Sequence, residues 1–400
     1  MKPPALPKGF FYKHGFLIKY LLPVLFILAA GTLVYYSDLA TKLQSKVTTL
    51  SNSEAKLQTQ LASSKKELDV LTNEDQYVVN KKLQEEIQNI QSTYKKAVVT
   101  YENLLKLKEV SKKTDELDIQ LTKSLALLSE RNYASASAIL ANLNKTIQDE
   151  QGKIAAAFVI PENVPTANAP PSSGFRRQSV KIDIGTYLVD IVSIDLNSSR
   201  AVVDTASDGN CSNDCPVLSL GDYVSRNGAF AGINGSYFCP ASYPSCEGKT
   251  NSFDTLLMNK NKVYFNSDNN KFSTVPLVAF YGNEVRFVSQ SVDWGRDTGV
   301  DAVLANQPLT LLGGNVVFGG DDDPKKGSKG SRSFVASSGN TAYIGVVHNA
   351  TVAEVGHVLK ALGIENGLNL DSGGSVALWY SGYKAGPGRN IPNALLFVRK

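Results

Sequence analysis

The segment Gly367-Leu-Asn-Leu-Asp-Ser-Gly-Gly-Ser375 brings an apolar run to one carboxylate, Asp371, and then turns through small residues. A strand that ends this way exposes several backbone N–H groups around one acid. Glycine allows close backbone approach and positive φ, and consecutive N–H groups form a concavity that binds anions. A ligand with phosphate or sugar oxygens beside a catalytic or orienting carboxylate fits that chemistry. The same residue types also make an ordinary tight turn between strands, so this segment alone leaves both readings open. Three further segments place Asn, Arg, Ser and Gly at expected strand ends: Gly232-Ile-Asn-Gly-Ser-Tyr-Phe238, Ser331-Arg-Ser-Phe334 and Gly386-Pro-Gly-Arg-Asn-Ile-Pro-Asn393.

In this order the four segments resemble the phosphodiester glycosidase family. The family pattern runs from an apolar stretch into Asn-Gly-x-(Phe/Tyr)-Phe, here Ile233-Asn-Gly-Ser-Tyr-Phe238. An Arg-(Ser/Thr) strand entry follows, here Arg332-Ser333. Next come a helix ending in Leu362-Gly363 and the Asn-Leu-Asp turn, here Asn369-Leu-Asp-Ser-Gly-Gly-Ser375. The pattern closes on Arg389 and Asn393-Ala-Leu395. The resemblance covers about residues 180–400, and it departs from the family at Ser372, where glycine is usual.

The resemblance implies hydrolysis of a sugar–phosphate bond, with a sugar-phosphate or polysaccharide as substrate, and it suggests roles. Arg332 and Arg389 are the candidate anion clamps, because guanidinium matches phosphate bidentately. Asp371 is the candidate acid, base or nucleophile at the anomeric carbon. Asn234 is expected to reach an N-acetyl or phosphate group. Ser375, the N–H groups of Gly373 and Gly374, and Asn393 would complete the pocket. Glycosidases usually use two carboxylates. The second stays open among Asp254, Glu247 and Asp301. No cofactor or metal site is expected; a divalent cation stays open. Asp321-Asp-Asp323, before Pro324, reads better as a solvated loop tip than as a calcium site.

Asp371-Ser-Gly-Gly374 also echoes trypsin-like serine proteases. Such a fold needs a histidine well upstream followed by an aspartate. His348 and His357 lie only a short way before Ser372, which argues against that class.

The elements that must hold these residues read as an α+β domain with a dominant sheet over 180–400. Strands are expected at 187–196, 201–203, 230–233, 263–265, 277–281, 284–288, 315–318, 333–337, 341–347 and 394–398. Helices are expected at 220–227 and 352–362, the second with a Thr351/Glu354 capping box and Gly363 at its end. Residues 158–179 form a Pro-rich linker, and residues 80–157 read as a helical hairpin or small bundle. Residues 37–79 carry a coiled-coil seam of Leu43, Leu50, Leu57 and Leu71 with Val47, Leu61 and Leu68, and its phase breaks near 72–77. A homo-oligomer through this seam is expected, a parallel dimer by default.

Between Phe16 and Tyr36 the only charge is Lys19. That length suits a membrane span at 16–36, read here as an uncleaved anchor rather than a signal peptide. Lys2, Lys8 and Lys13 place residues 1–15 in the cytoplasm and the rest outside. The four cysteines, Cys211/Cys215 and Cys239/Cys246, form local pairs that suit disulfides better than zinc, with connectivity open. With 20% charged residues and net charge +4, the chain has no basic stripe for nucleic acid. The functional reading is a membrane-anchored extracytoplasmic hydrolase. The alternative is a non-catalytic envelope protein that binds glycan through this domain and assembles through its stalk.

Overall fold

A computed structural model describes residues 14–296 and 299–400. Most of the expected cytoplasmic tail, residues 1–13, lies outside them. The helices are α1 (His14–Asn73), α2 (Asp75–Val110), α3 (Asp115–Ser129), α4 (Tyr133–Ala156), α5 (Leu220–Asn227), α6 (Asn269–Phe272), α7 (Pro324–Gly327) and α8 (Val352–Ala361). The strands are β1 (Gly174–Ile182), β2 (Gly185–Asp195), β3 (Ser199–Thr205), β4 (Ala231–Asn234), β5 (Leu257–Met258), β6 (Tyr264–Phe265), β7 (Leu277–Tyr281), β8 (Glu284–Val288) and β9 (Ala302–Ala305). They continue with β10 (Leu309–Leu312), β11 (Asn315–Val316), β12 (Gly330–Ser338), β13 (Thr341–Ala350), β14 (Asn366–Asn369), β15 (Leu378–Tyr380), β16 (Tyr383–Ala385) and β17 (Asn393–Arg399).

Two compact units make up the chain, residues 1–89 and 90–400. In the first, α1 runs unbroken until Glu74, within the stretch where the heptad phase fails. It is long and apolar enough near its N-terminus to cross a membrane. Phe26 and Leu33 are largely exposed, as a lipid-facing surface requires. Further along, Leu50, Leu57 and Leu61 leave their stripe uncovered in the single chain.

In the second unit, the C-terminal half of α2 packs with α3 and α4 into a three-helix bundle. Leu104, Leu107, Leu121, Leu140, Leu143 and Ile147 form its core. The remainder is α+β, dominated by sheet. Among the described residues, a seven-stranded sheet runs β1-β2-β13-β12-β14-β10-β11. A five-stranded sheet runs β16-β15-β4-β17-β3, and another runs β6-β5-β9-β7-β8. All the pairings within these sheets are antiparallel.

Alternation decides which face each strand buries. On β2, Val192 and Ile194 join a core shared by all three sheets, which also takes in Ile233, Leu304 and Leu395. Tyr187, Val189 and Ile191 point the other way, onto Val355, Val358 and Leu359 of α8. Burial on both faces explains why β2 is mostly apolar, and even its Asp190 and Ser193 are buried. The Ser219/Asp222 and Thr351/Glu354 capping boxes fix the starts of α5 and α8. β1 extends back into the stretch read as linker, and Thr166 bridges to Ser179. The disulfides are Cys211–Cys215 and Cys239–Cys246.

Candidate active site

The four polar segments converge where the seven-stranded sheet meets the β4/β17 sheet. β4 ends in Asn234, which is fully buried. Its Nδ2 donates to the Asp371 carbonyl at 2.7 Å. Its Oδ1 accepts from Ser333 Oγ at 2.8 Å and from Ala377 N at 3.1 Å. One side chain therefore ties β4, β12 and the turn after β14 together. This differs from the expected role: Asn234 faces no cleft, and its polar atoms are committed to holding Asp371 in place. Asn393 turns inward as well. Its Oδ1 accepts from Ser236 N and its Nδ2 donates to Ser236 Oγ, both at 2.9 Å. It is almost fully buried, and both polar atoms of its side chain support the Asn-Gly-Ser turn.

Asp371 sits at the tip of its turn with 9% exposure. Its Oδ1 accepts from Ser372 N at 2.9 Å, and the buried Ser375 hydroxyl also bonds the carboxylate. Burial raises its pKa from 3.8 to about 6, against the pull of Ser375, Ser372 and Arg389, and the charge on Glu109 adds to the rise. Ser372 has φ −135°, extended backbone that serine adopts freely, and the positive φ of 63° falls on Gly373. The departure from the family pattern at Ser372 therefore leaves the turn intact.

Arg332 is 7% exposed. Its Nε donates to Ala350 O at 3.0 Å and its Nη2 to Lys325 O at 2.9 Å, with a further bond to Ser328 O. Among the described residues no carboxylate forms a salt bridge with it, and burial pulls its pKa down. It holds the 325–328 segment, and the Asp323 and Glu354 charges act on it without a salt bridge. Arg389, the other expected clamp, is paired with the Glu109 carboxylate of α2. That pair lies over Gly374, where a β-carbon would overlap both Arg389 Nη2 and Glu109 Oε1. Beside it opens a cleft of about 360 Å³ lined by Glu109, Phe238, Ser242, Asn251, Arg389 and Asn390.

The causes of the Asp371 shift do not include Asp254, Glu247 or Asp301. Asp301 accepts from Gly282 N, in the β7–β8 turn, at 2.9 Å, and the Asp254 carbonyl accepts from Asn269 Nδ2. The carboxylate that does act on Asp371, Glu109, comes from the helical bundle. Not every neighbour follows the sequence pattern. The Tyr237 hydroxyl accepts from Asn369 Nδ2 at 2.7 Å and feels both Asp371 and Arg332, while burial raises its pKa. The Tyr243 ring lies between Lys325, 5.7 Å from its centroid, and Arg389, at 5.5 Å. Tyr237 stands inside the Asn-Gly-Ser-Tyr-Phe motif, so its position is a signal. Lys325, Tyr243 and Glu109 carry none. Among the described residues, no cluster of His, Cys, Asp and Glu is arranged to hold a metal.

Residues 227–398 match the sequence model of the phosphodiester glycosidase family. No curated protein matches the sequence. Of 14 solved chains that match, two illustrate a similarity in part. One is a hypothetical protein from Synechocystis, at 12% identity and TM-score 0.46, covering 56% of this chain and 62% of that one. The other is the zebrafish N-acetylglucosamine-1-phosphodiester alpha-N-acetylglucosaminidase catalytic domain auto-inhibited by its pro-peptide. It matches at 13% identity and TM-score 0.45, covering 59% of this chain and 87% of that one.

Proposed function

We propose that this chain, whose residues 227–398 form a phosphodiester glycosidase domain, hydrolyses a glycosyl-1-phosphodiester bond in a surface or secreted glycan. The observation that carries the reading is Asp371, a buried carboxyl with a pKa raised to about 6, set beside the Arg389 guanidinium. Above that pH the ionised carboxylate accepts a proton from water attacking the anomeric carbon. The new bond joins the water oxygen to that carbon. The bond from that carbon to the phosphate oxygen breaks, and the electron pair leaves with the phosphate. Guanidinium groups stabilise the charge that develops there. Among the described residues no carboxylate is salt-bridged to Arg332, which suits it to the task.

The same proposal covers topology. Residues 16–36 anchor the protein in a membrane, residues 1–15 lie in the cytoplasm, and the glycosidase domain lies outside. The two disulfides favour an oxidising compartment for that domain. The exposed leucine stripe of α1 favours a parallel coiled coil between copies of the chain. A protease added to intact cells should remove the glycosidase domain, and full protection would contradict this orientation.

The activity is tested by giving full-length protein UDP-N-acetylglucosamine and a panel of other sugar 1-phosphodiesters, then measuring free sugar. Release above an Asp371→Asn control is expected. No release across the panel would sink the hydrolase reading, and saturable binding without turnover would favour a glycan-binding envelope protein.

A further inference from the structure

The helical bundle does more than carry the glycosidase domain. Glu102, Lys106 and Glu109 follow one another at spacings of four and three, which places them on one face of α2. Leu104 and Leu107, on another face, are buried in the bundle core. The polar face lies against the candidate site. Glu102 Oε1 accepts from Ser245 N at 3.1 Å, and Glu109 pairs with Arg389. Lys106 stands between these two anchors, part-buried, and its ammonium has no hydrogen-bond partner among the described residues.

Its surroundings are cationic. Lys325 reaches over Tyr243 from the segment whose carbonyls Arg332 holds. Burial, followed by the Lys325 and Arg332 charges, pushes Lys106 down to about 8, while Glu102 and Asp323 oppose the shift. Three cations and two carboxylates leave one net positive charge in this neighbourhood. Arg389 does not add to it, because Glu109 neutralises it. A phosphodiester carries one negative charge. Its arrival would balance the cluster and supply the acceptor that Lys106 lacks.

We infer that Lys106, supplied by the helical bundle, is a substrate-binding residue that joins Lys325 and Arg332 in holding the phosphate of the substrate. The inference rests on the glycosidase reading for the identity of the phosphate-bearing ligand. It makes the bundle part of the active site.

The test uses full-length protein with Lys106→Gln, Lys106→Arg and Lys325→Gln. Two quantities are read: KM and kcat on the sugar 1-phosphodiester panel, and the dissociation constant of inorganic phosphate by calorimetry. Loss of one charge-assisted contact in Lys106→Gln should raise both KM and the phosphate constant about 10-fold, with kcat within about 3-fold of native. Lys106→Arg should stay close to native on both measures. Lys325→Gln changes an exposed residue of the short α7, so it reads the same cluster without threatening the fold. It should weaken phosphate in the same direction. Phosphate binding unchanged in both Gln variants overturns the inference, and so does a fall in kcat at constant KM. If the native protein turns over no sugar phosphodiester, the hydrolase reading fails, and the phosphate measurement still decides the role of Lys106.

Discussion

Replacing Asp371 with asparagine should remove activity and make the protein more stable. In the folded protein burial lifts this carboxyl from 3.8 to about 6. An unfolded chain would titrate it near the ordinary value. Between pH 3.8 and about 6 the folded state therefore holds more proton than the unfolded state, so raising the pH through that window costs stability. At about 1.36 kcal/mol per pH unit, the rise from 3.8 to about 6 means that the ionised carboxylate costs about 3 kcal/mol at neutral pH. The amide of the Asp371→Asn variant would carry no such cost, although its interactions with Ser372 N and the Ser375 hydroxyl would be weaker by about 1 kcal/mol. The net expectation is a gain of about 2 kcal/mol at about pH 8 that turns into a loss of up to about 1 kcal/mol below about pH 4. Urea melts of both proteins across that range measure it. A pH-independent loss of stability in Asp371→Asn would refute the argument, because it would mean that the carboxylate is a net stabilising group. The same titration predicts that hydrolysis rises with pH through about 6, as the base form appears.

Asn234→Ala strips partners from Ser333, Ala377 and the Asp371 carbonyl, and should cost on the order of 3–5 kcal/mol in a denaturant melt as well as activity. Asp190 is buried, accepts two bonds from Arg177 at 2.7 Å and pairs with His348 at 2.9 Å, and its pKa is lowered despite its burial. Asp190→Asn should cost about 3 kcal/mol at about pH 7, at the low end for a buried pair because Arg177 is partly exposed. That deficit should shrink as pH falls below the ordinary carboxylate range, where the native carboxylate also loses its charge. Gly374→Ala would push the Glu109–Arg389 pair off the turn. It should lower kcat/KM by about 100-fold with little change in melting temperature. Reductant applied to the folded protein should abolish hydrolysis before circular dichroism of the sheets changes.

The positions of the site are legible in the sequence because Asn, Arg and Asp stand at strand ends within short motifs. Their roles are only partly legible. Asn234 and Asn393 look like substrate ligands in one dimension, yet both side chains point into the fold, and only the crossing of β4, β12 and β17 decides that. Glu109 is invisible for a different reason: it lies on a helix that reads as stalk, with most of the sheet domain between it and Arg389 in sequence. β9 and β10 escape notice because Ala302–Ala305 and Leu309–Leu312 are short and buried on both faces, so neither shows alternation. The α5 and α8 boundaries are readable because capping boxes are local chemistry.

The Cys239–Cys246 ring encloses Tyr243 and Ser245, the two residues that meet Arg389, Lys325 and the polar face of α2. The shared apolar core of the three sheets does not run through that ring. Folding and maturation should therefore be separable in this chain. Sheets should assemble while the thiols are still free, and oxidation would then finish the wall that meets the helix. A molecule waiting in a reducing compartment would be folded and idle, and would become active on reaching an oxidising one. The timing of its chemistry would then follow its location, with no separate inhibitor to remove.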